Sequence, residues 1–481
     1  MTIVITILAY FAALYLFSRI TTRKSDNNTF FRSNRKSPWY MVAFGMIGAS
    51  ISGVTFVSVP GMVMRMDMTY LQTCLGFILG YFAVAFLLLP VYYKFNLTTI
   101  YSYLGERLGK RSYKTGAWFF FLSKIIGASV RFYVVCIILQ DYVFSAIGIP
   151  FELTVVVMVA LIWLYTRNGG IKTLVWTDTF QTTCLFGALI LIIVNVASAL
   201  DMSVSEAFNA VRESEMSRIF VFDDPKSTQY FWKQFLSGIF IVIVMTGLDQ
   251  DMMQKNLTCK SLREAQKDMT TYGFAFVPAN ALFLCLGVLL VMLAQKTGTT
   301  LPFSGDELLP MAAASGNLGE MVVVLFTIGM VAASFSSADS ALTALTTSFC
   351  VDIMEKSDDE KLRRRTHLMM CLMFIAFILS FKAVNSTSVI DAIYIICSYT
   401  YGPLLGLFAF AILFPRLRPM DKAVPYIAVF SPILCYVIDY VTQELWGYKF
   451  GYELLMLNGA MTLAGLLCSR YIQKAACQTP S

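Results

Sequence analysis

The run Ala332-Ala333-Ser334-Phe335-Ser336-Ser337-Ala338-Asp339-Ser340 sits inside a long apolar stretch, 321–349, with helical periodicity. Hydrocarbon cannot hydrogen-bond, so this many hydroxyls and a carboxylate at bilayer depth must face protein, water or an ion. Oxygen ligands suit a hard cation such as sodium, and small residues let a neighbouring helix come close enough to complete its shell. A Ser-Ser pair alone would serve helix packing equally well. Asp339 tips the reading toward a site.

Working outward, the same apolar character recurs from end to end. Of 481 residues 57% are hydrophobic and 14% charged, which makes the chain an all-α polytopic membrane protein. Hydropathy places about thirteen spans, at 2–17, 39–64, 70–92, 115–144, 153–163, 173–200, 230–248, 271–294, 321–349, 367–381, 389–413, 423–440 and 452–467. The first lacks a basic leader and a small-residue cleavage site and reads as a retained span. The eleven cysteines are scattered through apolar stretches without paired spacing, against a disulfide framework or a zinc site. The one histidine, His367, stands beside Arg363, Arg364 and Arg365 at a helix mouth and reads as solvated. No nucleophile, base and orienting group occur together, so an enzyme is not indicated.

The net charge of +7 is explained by placement. Basic residues of alternate loops sum to about 27 on one side and about 8 on the other, which puts the N-terminus outside and the C-terminus inside a cell (inner) membrane. The inner clusters at 19–36, 94–114, 255–267 and 356–365 serve as topology signals, and no nucleic acid is needed as a partner.

The second span carries Gly45-Met46-Ile47-Gly48-Ala49-Ser50-Ile51-Ser52-Gly53, then Pro60-Gly61. Glycine and serine at that density weaken a helix, and a broken helix exposes carbonyl oxygens that bind cations. Ser237-Gly238 in the seventh span reads as a second weak point, at the spacing of inverted repeats covering spans two to six and seven to eleven. Lys124 and Arg131 are seven residues apart and share a helix face. Lys124 reads as a snorkelling cation, while Arg131 could grip a carboxylate bidentately or neutralise an intramembrane acid. Asp178 is either a helix N-terminal carboxylate or an ion contact. Residues 247–255 have the periodicity of a short amphipathic helix on the inner surface.

Four segments together resemble the sodium:solute symporters. They are Tyr103-Leu104-Gly105-Glu106-Arg107-Leu108-Gly109-Lys110-Arg111, the stretch from Gly169-Gly170 to Thr177-Asp178 and Gln181, the stretch from Asp249-Gln250 to Gln254-Lys255, and Ser336-Ser337 with the following run to Asp352. The resemblance implies a LeuT-like five-plus-five inverted repeat: an extra helix and inner loop at 1–38, repeats at 39–200 and 230–414, an outer loop at 201–229, and two further helices with a short tail at 415–481. It places a sodium ion on the carbonyls of Gly48, Ile51 and Ala333 and the hydroxyls of Ser336 and Ser337. A second sodium falls on Asp178, with Asp339 as an added acid that could instead pair with Lys124 or Arg131 or bind a proton. Solute contacts fall on Ser50, Ser52, Thr55, Gln72 and Arg131.

The implied activity is sodium-coupled import of a small carboxylated solute, sialic acid or a similar sugar acid. Asp251, where sugar-carrying relatives place a gating aromatic, weakens the case for a plain sugar. The alternatives are a neutral-solute symporter or a proton-coupled carrier. A channel would present a repeated filter or charged ring. The partners implied are solute, sodium and the bilayer, with sodium as coupling ion, no further cofactor and no obligate protein.

Overall fold

The computed structural model describes residues 2–21, 26–145, 148–225, 227–315, 318–384, 389–448 and 450–476. In chain order the main helices are α1 (Thr2–Thr21), α2 (Trp39–Ser50), α3 (Gly53–Met66), α4 (Tyr70–Ala83), α5 (Lys110–Leu139), α6 (Phe151–Gly169), α7 (Ile171–Ala199) and α8 (Val204–Glu213). They continue with α9 (Phe231–Val242), α10 (Gln250–Asn256), α11 (Leu262–Thr297), α12 (Gly319–Ser348), α13 (Glu360–Val384), α14 (Val389–Leu413), α15 (Val424–Trp446) and α16 (Leu454–Ala476). Among the described residues seven spans are unbroken, long and apolar enough to cross a membrane, and nine are if the bent pairs α2–α3 and α9–α10 each count as one. Apolar helical stretches also run over Ile5–Ile20 in α1 and Ser398–Leu413 in α14. Large apolar side chains such as Tyr426, Phe430, Leu434 and Leu445 point outward from α15. In water such a face would be a liability; in lipid it costs nothing.

The first bend measures 63°. Helix α2 stops because Ile51 leaves helical geometry (φ −79°, ψ 83°), and α3 restarts where the Ser52 hydroxyl accepts from the Thr55 amide at 3.4 Å. The second bend, 70°, follows a widened π turn at Ile243–Gly247. There Asp249 caps α10 by accepting from the Asp251 amide at 2.8 Å. The carbonyls freed at Gly247 and Leu248 accept the Tyr92 and Tyr101 hydroxyls at 2.9 and 2.8 Å. Buried backbone groups at a break must find such partners.

Two expectations change here. Ser237-Gly238 is not the break: α9 runs straight through it, and the interruption lies at Leu248-Asp249. Gly238 instead permits close crossing of α4, since an added Cβ would stand 2.3 Å from the Thr73 carbonyl. Nor does 247–255 lie on the inner surface. Every residue of α10 is buried, because its polar side chains have partners inside the bundle.

The described residues of 201–229 form a helix and an extended return. A capping box between Ser203 and Glu206 starts α8. The chain then returns over α4, where the Gln72 side chain accepts from the Val221 amide and donates to the Gln229 carbonyl, each at 3.0 Å.

Candidate functional site

The break between α2 and α3 lies against the serine run of α12. Ser337 Oγ donates to the Ala49 and Ala333 carbonyls at 3.0 and 3.1 Å. Around the break the Ile51 amide returns to Ile47 and the Ser52 amide to Ser50. The carbonyls of Gly48 and Ile51 therefore receive no hydrogen bond from any described residue. Free carbonyl oxygens beside hydroxyls are a ligand set for a hard cation.

Helix α7 closes the other side of α2. At Gly48 an added Cβ would stand 1.9 Å from Thr182 Oγ1 and 2.8 Å from its Cβ, so this glycine is required by the packing. One turn away on α7, Asp178 is 1% exposed. Its Oδ1 accepts from Ser336 Oγ at 2.7 Å, and its Oδ2 lies 2.7 Å from Lys255 Nζ, itself buried on α10. Lys255 escaped the sequence reading because it stands at the head of a basic cluster that topology already explained. Asp339 accepts from the Tyr165 hydroxyl at 2.6 Å and Ser340 Oγ at 3.2 Å, and pairs with neither Lys124 nor Arg131.

Lys124 does not snorkel. It is 7% exposed and lies 3.0 Å from Asp249 and 2.7 Å from Asp251, which hold it in the bundle. Tyr401 adds its hydroxyl to Asp249 at 2.7 Å. His367 is likewise buried, between Thr166 and Thr346 at 2.8 and 3.0 Å, where the arginine-rich surroundings had implied solvent.

A cavity of about 160 Å³ lies between these elements. Ser50, Ser52, Thr55, Arg131 and Ser337 line it, as do Lys124, Asp249 and Asp251. Ser50 hydrogen-bonds Tyr272 across it. Arg131 has no carboxylate within ion-pair distance among the described residues, so it does not neutralise an intramembrane acid. Gln72 is not brought to this cavity; both ends of its amide are taken by Val221 and Gln229.

The chain resembles a sodium/sialic acid symporter of Aliivibrio fischeri, with 25% identity over 463 residues, 89% of this chain and 86% of that one. A sodium/sialic acid symporter of Proteus mirabilis is 24% identical over 455 residues, 88% and 87% of the two chains. Among solved structures, a Na+-coupled sialic acid symporter in a substrate-bound outward-open state superposes with a TM-score of 0.81, covering 98% of each chain at 19% identity. That likeness establishes the LeuT-like fold. The profile of the sodium:solute symporter family matches residues 30–420, which contain both bent helix pairs, the serine run and the cavity. The chain belongs to the sodium:solute symporter family.

Proposed function

We propose that the chain imports a carboxylated organic solute together with sodium by alternating access, sialic acid or a similar sugar acid being the leading solute. One observation carries this reading: the break that leaves the Gly48 and Ile51 carbonyls free opens on a cavity whose Arg131 lacks an acid partner among the described residues. Sodium takes the carbonyls of Gly48, Ile51 and Ala333 with the hydroxyls of Ser336 and Ser337. The solute carboxylate takes Arg131, with Ser50, Ser52 and Thr55 beside it. The relatives' names support the choice of solute.

Segments 39–200 and 230–414 act as the two inverted repeats, each beginning with a bent pair. Segments 1–38, 201–229 and 415–481 are additions around them. The N-terminus is outside and the C-terminus inside a cell membrane. Each sodium entering down 100 mV then contributes about 2.3 kcal/mol before any concentration gradient. A second ion at Asp178 and Asp339 would have to displace Lys255 Nζ from Asp178.

The test is uptake of labelled sialic acid by proteoliposomes carrying Arg131→Ala or Arg131→Lys. Loss in the first and weakening in the second are expected, since lysine keeps the charge without the planar fork. Unchanged uptake in Arg131→Ala would remove the carboxylate site.

A further inference from the structure

Asp251, near the start of α10, has two carboxylate oxygens with different fates. Oδ2 lies 2.7 Å from Lys124 Nζ. Oδ1 is buried and has no hydrogen-bond partner among the described residues, although the residue is 4% exposed and lines the cavity. Its neighbour Asp249 is fully committed, to Lys124, to the Tyr401 hydroxyl and to the Asp251 amide. A buried carboxylate oxygen left without a donor is costly, so one that lines a cavity is placed to meet a donor that enters it.

The charges lining the cavity are also separated. Asp249 and Asp251 share one ammonium, Lys124, so that end carries a net negative charge. Arg131, on the same helix and seven residues on, carries a positive charge with no acid partner among the described residues. Seven residues of α-helix span about 10 Å. The cavity therefore presents, at Arg131, a cation for a carboxylate and, beside Lys124 about 10 Å of helix rise away, an acceptor on α10 for a donor.

We infer that Asp251 Oδ1 is a second recognition point, accepting a hydrogen bond from a hydroxyl, amide N–H or ammonium at the end of the solute remote from its carboxylate. The solute class follows: elongated acids bearing such a donor, as polyhydroxy acids and amino acids do, and not short or purely aliphatic monocarboxylates. A short acid bound at Arg131 leaves Oδ1 unsatisfied, and an aliphatic tail buries it worse. Asp251 thus discriminates by requiring a donor, and such sites reject analogues that lack one more strongly than apolar pockets do. This deepens the proposed function and rests on its assignment of the carboxylate to Arg131.

The experiment compares 6-aminohexanoate with hexanoate, acids of equal chain length that differ only in the terminal donor. Half-saturation is read from thermal stabilisation of the purified full-length protein in sodium buffer, a readout of binding that does not depend on which solute is transported. In the wild-type protein 6-aminohexanoate is expected to half-saturate at a concentration at least about tenfold lower than hexanoate. In Asp251→Ala, and in Asp251→Val should the first variant fold poorly, the acceptor is gone and that ratio falls below about threefold, with hexanoate binding no weaker than in the wild type. Equal binding of the two acids by wild type, binding of neither, or an unchanged ratio in both variants overturns the inference. Arg131→Ala separates it from the reading beneath: loss of both acids keeps the carboxylate assignment, whereas retention of both removes that assignment.

Discussion

Removing the buried ammonium of Lys255 tests the ion site through its closest charge. The pair with Asp178 is 2.7 Å long and both side chains are at most 2% exposed. At an effective dielectric of 20 two charges at that distance attract by about 6 kcal/mol, much of it offset by desolvation. Deleting one partner leaves the other charge buried and uncompensated, which costs about 3–5 kcal/mol. Lys255→Met should therefore destabilise the protein by that amount in choline buffer. With about 2.1 cal/mol/K of unfolding entropy per residue, this corresponds to roughly 3–5 °C in thermal unfolding of the detergent-solubilised protein. The double variant Lys255→Met/Asp178→Asn removes both charges and should recover most of the loss. Sodium, able to take the vacated place at Asp178, should also restore stability to Lys255→Met more than it adds to the wild type. A Lys255→Met protein within about 1 °C of wild type in choline, or a double variant no better than the single, would refute the reasoning.

Gly48→Ala should cost about 1–3 kcal/mol through overpacking against Thr182, and Thr182→Gly should return part of it; equal stability of Gly48→Ala and wild type in a melting curve would contradict this. Gln72→Leu should loosen residues 201–229 without altering solute affinity, seen as faster hydrogen exchange there with unchanged half-saturation. Acid should act on the same segment. A hydrogen bond from Lys296 and its charge hold Asp201 below the usual carboxylate range, Arg218 does the same for Asp223, and the Ser203 amide and hydroxyl do so for Glu206. Depressed carboxylates contribute stability that is present above their unfolded values and lost as pH falls through the folded ones. The tethers should hold at neutrality and release below about pH 4, measured as proteolysis within residues 201–225 at stepped pH.

Much of this was legible in the sequence. Of the thirteen spans that hydropathy suggested, seven to nine are long and apolar enough among the described residues, and the glycine and serine density at 45–53 marked the first break, because the residues that weaken a helix are local. The second break was misplaced: Gly238 looks like a weak point, yet it serves a crossing with α4, and only tertiary structure distinguishes a glycine that bends from one that packs. The Tyr92 and Tyr101 hydroxyls that stabilise the true break come from far away in the chain. Charge misled for a related reason. Lys124, Lys255 and His367 stand where solvent or the membrane surface would explain them, and their buried partners Asp249, Asp251, Asp178 and Thr346 lie on other helices. Arg131 and the serine run could be singled out because nothing in their own spans accounts for them.

Uptake of labelled sialic acid into proteoliposomes, with an inward sodium gradient and again with choline in its place at fixed pH, tests the central claim most directly. Accumulation that requires sodium, and that disappears in Ser336→Ala and in Arg131→Ala, is the expected result. Equal uptake in choline, or uptake that follows a proton gradient in its absence, would contradict sodium coupling at the α2–α3 break.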